Sequence, residues 1–129
     1  MKRSYVSLYR YLLSGTLGGL VFLFAVSASA DPVLRIVSFT AAGPDQQQQA
    51  LKLSDEVNKI YLAAKGCQWV KFWYDVSRGE NGSVSLWDSQ ADVEAFLKSD
   101  AYKPVPEKLK PLMKGEMSSK IYKVYEPKK

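Results

Sequence analysis

Residues 69 to 75 read WVKFWYD and interleave ionisable side chains (Lys71, Tyr74, Asp75) with the rings of Trp69, Phe72 and Trp73. An ionisable group among apolar rings can have its pKa moved toward neutrality and then exchange a proton with a substrate. Each of these residues also has an ordinary reading, because charges on a strand surface commonly pair across to a neighbouring strand. Other chemistries lack their residues. The chain has no His and one Cys, Cys67, so a zinc, copper or haem-iron centre built from the usual ligands is not expected. No nucleophile motif, phosphate-binding glycine loop or carboxylate pair is present. Cys67 has no partner for an internal disulfide; a small buried thiol at a strand start is the simpler reading, with an intermolecular disulfide as the alternative.

The elements that position these residues follow from changes in hydrophobic period. Val33 to Thr40 (VLRIVSFT) is short and β-branched, bounded by Pro32 and by Ala-Ala-Gly-Pro, and predicts a first strand. Gly43-Pro44-Asp45 opens a helix with Leu53, Val57, Ile60, Tyr61 and Ala64 on one face and Gly66 as its stop. The run Gln46 to Gln49 lies in its first turns and reads as a solvated face. Trp69 to Val76 is the second strand, with large rings in both alternating sets, so both of its faces should be covered. An Asn81-Gly82 turn leads into Ser83 to Trp87 as the third strand. Ser89 with Asp92 forms a capping box for a helix carrying Val93, Phe96 and Leu97, which Lys103-Pro104-Val105-Pro106 breaks. A short turn through Leu109, Leu112 and Met113 should end at Gly115, and Lys120 to Glu126 is the last strand.

The order β-α-β-β-α-β predicts an α+β, ferredoxin-like fold: a four-stranded antiparallel sheet with both helices on one face. The opposite face, carrying rings such as Trp73 or Tyr122, would be an exposed apolar patch, and soluble monomers rarely keep a large one. A homodimer joined through that face is the expected remedy.

Residues 1 to 30 stand apart. A basic start (Lys2, Arg3, Arg10), an apolar stretch from Leu12 to Val26 and Ala28-Ser29-Ala30 have the layout of a secretory signal cleaved after Ala30. The stretch is short of the roughly 20 residues of a membrane-spanning helix, so export without a stable anchor is expected, to the periplasm or beyond. Cleavage would remove three of the 18 basic residues and none of the 13 acidic ones, leaving 99 residues at a net charge of +2. The basic character of the whole chain then sits largely in the signal and the Lys-rich C-terminal end, and no nucleic-acid partner is expected.

The stretch VSLWDSQADVEAFLKSDAYK, with AAKGCQWV before it, resembles the antibiotic biosynthesis monooxygenase-like group of dimeric α/β-barrel proteins, across nearly all of residues 33 to 126. The resemblance implies that fold and, as one outcome, a monooxygenase needing neither metal nor flavin. Such an enzyme deprotonates a phenol or enol so that the carbanion-like substrate itself reduces oxygen. It requires an apolar cavity and a base, for which Lys71, Tyr74 and Asp75 are the candidates. Trp73, Trp87 and Phe96 are expected around a flat aromatic ligand, with Tyr74 or Asp75 as its polar contact, while Trp87 and the Ser89 cap also set the angle of the second helix. Haem-degrading members resemble the chain in the same stretch, but Phe96 stands where their Trp would be and Pro106 where their His would be, so haem breakdown is disfavoured. Two classes remain: an exported cofactor-independent oxygenase acting on a small aromatic or quinol-like substrate, and an exported, non-catalytic dimeric module that binds such a ligand or a protein partner.

Overall fold

A computed structural model describes residues 31–129; the export signal read over residues 1–30 lies outside the described residues. The elements run β1 (Val33–Ala41), α1 (Pro44–Ala63), β2 (Cys67–Asp75), β3 (Glu80–Trp87), α2 (Gln90–Leu97), α3 (Pro104–Leu109), a 3-10 turn (Lys110–Leu112) and β4 (Met113–Lys123). The sheet has the order β2-β3-β1-β4 with every neighbouring pair antiparallel, the ferredoxin-like arrangement.

Local chemistry accounts for most boundaries. Pro44 at the first position of α1 needs no amide partner there, and Gly66, at φ +85°, supplies the left-handed turn into β2. At the start of α2, Ser89 Oγ accepts from the Asp92 amide at 3.2 Å and donates to the Asp92 carboxylate at 3.0 Å. The carboxylate therefore holds the capping hydroxyl instead of reaching back to the Ser89 amide, and only half of the reciprocal box forms.

Four details differ from the sequence reading. The β2-β3 turn is Val76 to Gly79, with Gly79 at φ +69°, and Asn81-Gly82 lies inside β3. Asp75 decides this, because its Oδ1 accepts from the Ser77 amide at 2.9 Å and the Ser77 hydroxyl at 2.7 Å, closing the turn early. Pro104-Val105-Pro106 breaks one helix but begins another, since proline is well placed in a first turn. Gly115 lies within β4 at φ +77°, and the strand starts at Met113 rather than Lys120. Its polar, edge-strand sequence hid it, because only one face packs on the core. Finally, Gln47 is buried, and its Nε2 donates to the Asp75 carbonyl at 3.2 Å, tying α1 to the end of β2, so the glutamine run is not wholly a solvated face.

The core lies between the sheet and the helices: Val33, Val57, Tyr61, Val70, Trp87, Val93, Phe96, Tyr102 and Val105 form one buried cluster. On the other sheet face, Trp69, Leu86, Leu34 and Tyr122 stand in register across all four strands. The next row is Lys71, Val84, Ile36 and Lys120, and within these rows Ile36 and Tyr122 are well exposed.

Candidate functional site

Strand alternation places Val33, Arg35 and Val37 of β1 on one face, and both valines belong to the buried layer. Arg35 therefore enters the core, where it is 1% exposed. Its Nη1 donates to the Tyr61 hydroxyl of α1 at 2.5 Å, its Nη2 to the Tyr102 hydroxyl at 2.9 Å and its Nε to Ser119 Oγ of β4 at 3.1 Å. All three partners are neutral hydroxyls, and none of the ion pairs among the described residues includes Arg35. A guanidinium keeps its charge in a protein, and a buried cation without a counter-anion costs several kcal/mol.

The neighbouring strand is polar on the same face. Asn81, Ser83 and Ser85 of β3 are all buried, in alternation, and lead to Trp87. Ser83 lies opposite Val37, and Ser85 opposite Arg35. Burial pushes the Tyr61 hydroxyl above the ordinary phenol range, and the attraction of Arg35 only partly offsets it. Tyr61 is thus a neutral phenol and a hydrogen-bond donor, not a base at neutral pH.

Tyr61, Tyr102, Asn81 and Ser83 line a cavity of about 40 Å³ between the sheet and helices α1 and α3. Its apolar walls include Val57, Phe72, Trp73 and Val105. Asn81 is 3% exposed; its Nδ2 donates to the Gly79 carbonyl at 3.1 Å, which orients the amide, and its Oδ1 has no partner. The cavity has room for a few waters; a six-membered ring requires the wall to move, since cavities that hold benzene are about 150 Å³.

Of the residues singled out from sequence, Trp73 lines this cavity. Its indole lies against Gly82, where a Cβ would collide with both the indole and the Val37 carbonyl, so β3 needs glycine there. Trp87 is fully buried behind the cavity, its Nε1 donating to Ser85 Oγ at 2.8 Å and its ring centroid 4.9 Å from that of Phe96. Phe96 stacks against Tyr61 and Tyr102 with centroids 4.7 Å from each. Its other side borders a wider, open groove of about 710 Å³ between α1 and α2, whose walls include Ile60, Ala63, Ala91 and Ala95. Lys71, Tyr74 and Asp75 are not in the cavity wall: Lys71 is exposed on the sheet face away from the helices, and Tyr74 is 55% exposed beside α1. Asp75 organises the hairpin turn, and the Ser77 hydroxyl, followed by the amides of Ser77 and Arg78, holds its carboxyl below the usual range. A carboxylate so stabilised is a weaker base. Cys67 is half-buried at the start of β2, and burial pushes its thiol up, which favours the unreactive form.

Arg35, Tyr61, Tyr102, Asn81 and Ser83 escaped attention as site residues, yet two signals were in the sequence. In Val33-x-Arg35-x-Val37 an arginine shares its strand face with two valines, and in Asn81-x-Ser83-x-Ser85-x-Trp87 three polar residues share a face with a tryptophan.

No family model matches the chain, and no curated protein does. Solved structures with the same fold do. Rv0793 from Mycobacterium tuberculosis superposes with a TM-score of 0.66 at 18% identity, covering 74% of this chain and 97% of that one. SnoaB from Streptomyces nogalater, a cofactor-independent oxygenase solved as its N63A mutant, has a TM-score of 0.66 at 12% identity, over 76% of this chain and 97% of its own. A Nitrosomonas europaea protein assigned to the antibiotic biosynthesis monooxygenases gives 0.67 at 11% identity, over 77% and 95%. The chain has the fold of the antibiotic biosynthesis monooxygenase-like proteins.

Proposed function

We propose that the protein is a cofactor-independent monooxygenase acting on a small aromatic, phenolic or quinol-like substrate in the cavity between the sheet and helices α1 and α3. The observation that carries this reading is the pair of hydroxyls, Tyr61 and Tyr102, on the wall of that apolar cavity, both engaged by the buried and otherwise uncompensated Arg35. Donors backed by a fixed positive charge in a water-poor site stabilise an oxyanion and lower the pKa of the phenol or enol that forms it. The ionised substrate delocalises its charge onto a ring carbon, which gives electrons to dioxygen and forms a C–O bond to a hydroperoxide. Loss of the remaining proton from that carbon with cleavage of the O–O bond yields a ketone or quinone and one water, so the four electrons lost by a CH2-equivalent carbon reduce one O2. Bulk water can take the first proton when binding itself lowers the substrate's pKa, so no carboxylate or imidazole base is needed at the cavity.

Oxygen uptake with a panel of quinols and polyphenols, in the presence of a chelator and without added flavin, tests the reading. Uptake that follows protein concentration and falls in Tyr102→Phe supports it; haem breakdown with iron release, or activity that disappears with the chelator, overturns it. The small volume of the cavity favours a second reading, a non-catalytic module for an aromatic ligand, and ligand-dependent tryptophan fluorescence with no uptake from any substrate selects it. The proposal includes action outside the cytoplasm as a homodimer. The residues 1–30 pattern supports export, tested by mass spectrometry of the secreted or periplasmic fraction for a chain beginning at Asp31. The uncovered sheet face, with its in-register row Trp69, Leu86, Leu34 and Tyr122, supports the dimer.

A further inference from the structure

The open groove between α1 and α2 has a chemistry of its own. Its volume of about 710 Å³ falls within the roughly 300–1,000 Å³ of small-molecule clefts. Ala63, Ala91, Ala95 and Ala101 are exposed along it, Ile60 is half-buried there, and Phe96 forms part of its wall. The uncharged and acidic polar side chains on the wall are already engaged. Ser99 Oγ donates to the Phe96 carbonyl at 2.6 Å and accepts from the Tyr102 amide at 3.3 Å, and Asp92 Oδ2 accepts from the Ser89 hydroxyl at 3.0 Å. The ammonium groups are not: Lys59 and Lys65 border the groove, and neither enters the ion pairs found among the described residues.

We propose that this groove binds the free monomer of a single-chain amphipathic carboxylate, a fatty acid, with its alkyl chain along the alanines and its head group on Lys59. The alkyl chain follows from what the walls lack. A sugar or an extended peptide would give up water at its hydroxyls or amides and find no free side-chain partner for them between the two lysines. A flat ring would find no platform to stack on, since Phe96 is only 4% exposed. Methylenes need neither, and each gains by leaving water. The place of the head group follows from the charges. Lys65 adjoins Gly66, where an added Cβ would collide with the Asp92 carboxylate, so that end of the groove already holds an anion. Beside Lys59 the wall carries no acid among the described residues. The acids one turn before it are placed elsewhere: Glu56 pairs with Lys108, and Asp55 lines a separate cleft with Tyr74. The groove lies on the helix side, away from the sheet face proposed for the dimer, and the inference stands apart from the oxygenase reading of the inner cavity.

Calorimetric titration of the purified full-length protein with hexanoate, octanoate and decanoate, each below its micelle concentration, tests this, with octanol and octylammonium as head-group controls. Affinity should rise about twofold per methylene, half the free energy of full burial because one side of the chain stays in water. Octanoate should bind about threefold tighter than octanol, a margin that shrinks with added salt, and octylammonium should bind weakest. Lys59→Gln should bring octanoate down to the octanol value and leave octanol unchanged, whereas Lys65→Gln should change neither. Ala95→Trp, at an exposed helix position, should fill the groove and remove binding of every chain with an unchanged circular dichroism spectrum; Ala91→Trp serves the same purpose if the first variant misfolds. Affinity independent of chain length, or octanol and octylammonium binding as tightly as octanoate, overturns the proposal. So does full binding in the tryptophan variants, which places the ligand elsewhere. Lys59-dependent binding to phosphatidylglycerol vesicles with no binding of the monomers overturns it too and makes the groove a bilayer contact, and a change of oligomeric state in Ala95→Trp gives the groove to a second copy of the chain.

Discussion

Truncating Trp87 distinguishes a core residue from a ligand wall. Trp87 is 0% exposed, with its ring centroid 4.9 Å from Phe96 and 6.0 Å from Tyr61, and its Nε1 is bonded to Ser85 Oγ, itself fully buried. Removing a buried aromatic side chain costs about 3–5 kcal/mol through lost transfer energy and the cavity left behind. A small domain has about 5–15 kcal/mol in total, so Trp87→Ala should lose a large part of it. At roughly 4–8 °C per kcal/mol for a domain near 100 residues, the melting temperature should fall by more than about 12 °C. Trp87→Phe keeps most of the apolar area but removes the donor to Ser85 Oγ, which is left only with its own long donation to the Arg35 carbonyl at 3.5 Å, and should cost about 1–3 kcal/mol. The assay is urea unfolding followed by circular dichroism for both variants, Ser85→Ala and the Trp87→Phe/Ser85→Ala pair. Because the two residues share one bond, their effects should be non-additive by about 1 kcal/mol. A Trp87→Ala protein within about 0.5 kcal/mol of the parent, with ligand binding lost, would refute the assignment to the core and make Trp87 a pocket wall.

Other expectations are shorter to state. Gly82→Ala forces a Cβ into the Val37 carbonyl and the Trp73 indole, and should destabilise by at least about 2 kcal/mol in urea unfolding; an unchanged midpoint would show that the strand yields freely. The Asp75 carboxyl is held below its unfolded-state pKa, so its contribution is present at neutral pH and is lost as pH falls through the folded pKa. Asp75→Asn should flatten that part of the acid dependence, measured as denaturant midpoints from neutral to strongly acidic pH, and parallel curves for parent and variant would count against the turn's dependence on this carboxylate. Ile36→Glu places a charge on the sheet face away from the helices and should convert the proposed dimer to a folded monomer by light scattering. A parent protein that is already monomeric at micromolar concentration removes the sheet-face argument.

What the sequence determined by itself was whatever depends on near neighbours along the chain. The strand alternation of WVKFWYD, Pro44 and Gly66 around α1, the Ser89 cap and the Pro104 break act within a turn or two, and together they specify element order and hence the ferredoxin-like sheet. The hairpin turn was misplaced because two local signals competed, Asn81-Gly82 against the Asp75 carboxylate, and the latter made more hydrogen bonds. The start of β4 was missed because an edge strand carries little pattern of its own.

The site is different in kind. Arg35, Tyr61, Tyr102 and Ser83 come from β1, α1, the segment after α2, and β3, and are 26 and 67 residues apart for the two arginine–tyrosine bonds. No local rule says which buried hydroxyl an arginine will find. Tertiary packing decided it: once Val33 and Val37 commit β1's face to the core, Arg35 must follow, and burial then turns each of its three nitrogens toward an acceptor within reach. The same constraint explains why Lys71, Tyr74 and Asp75, prominent in the sequence, stay at the surface. Free to remain in water, they have no reason to enter the core.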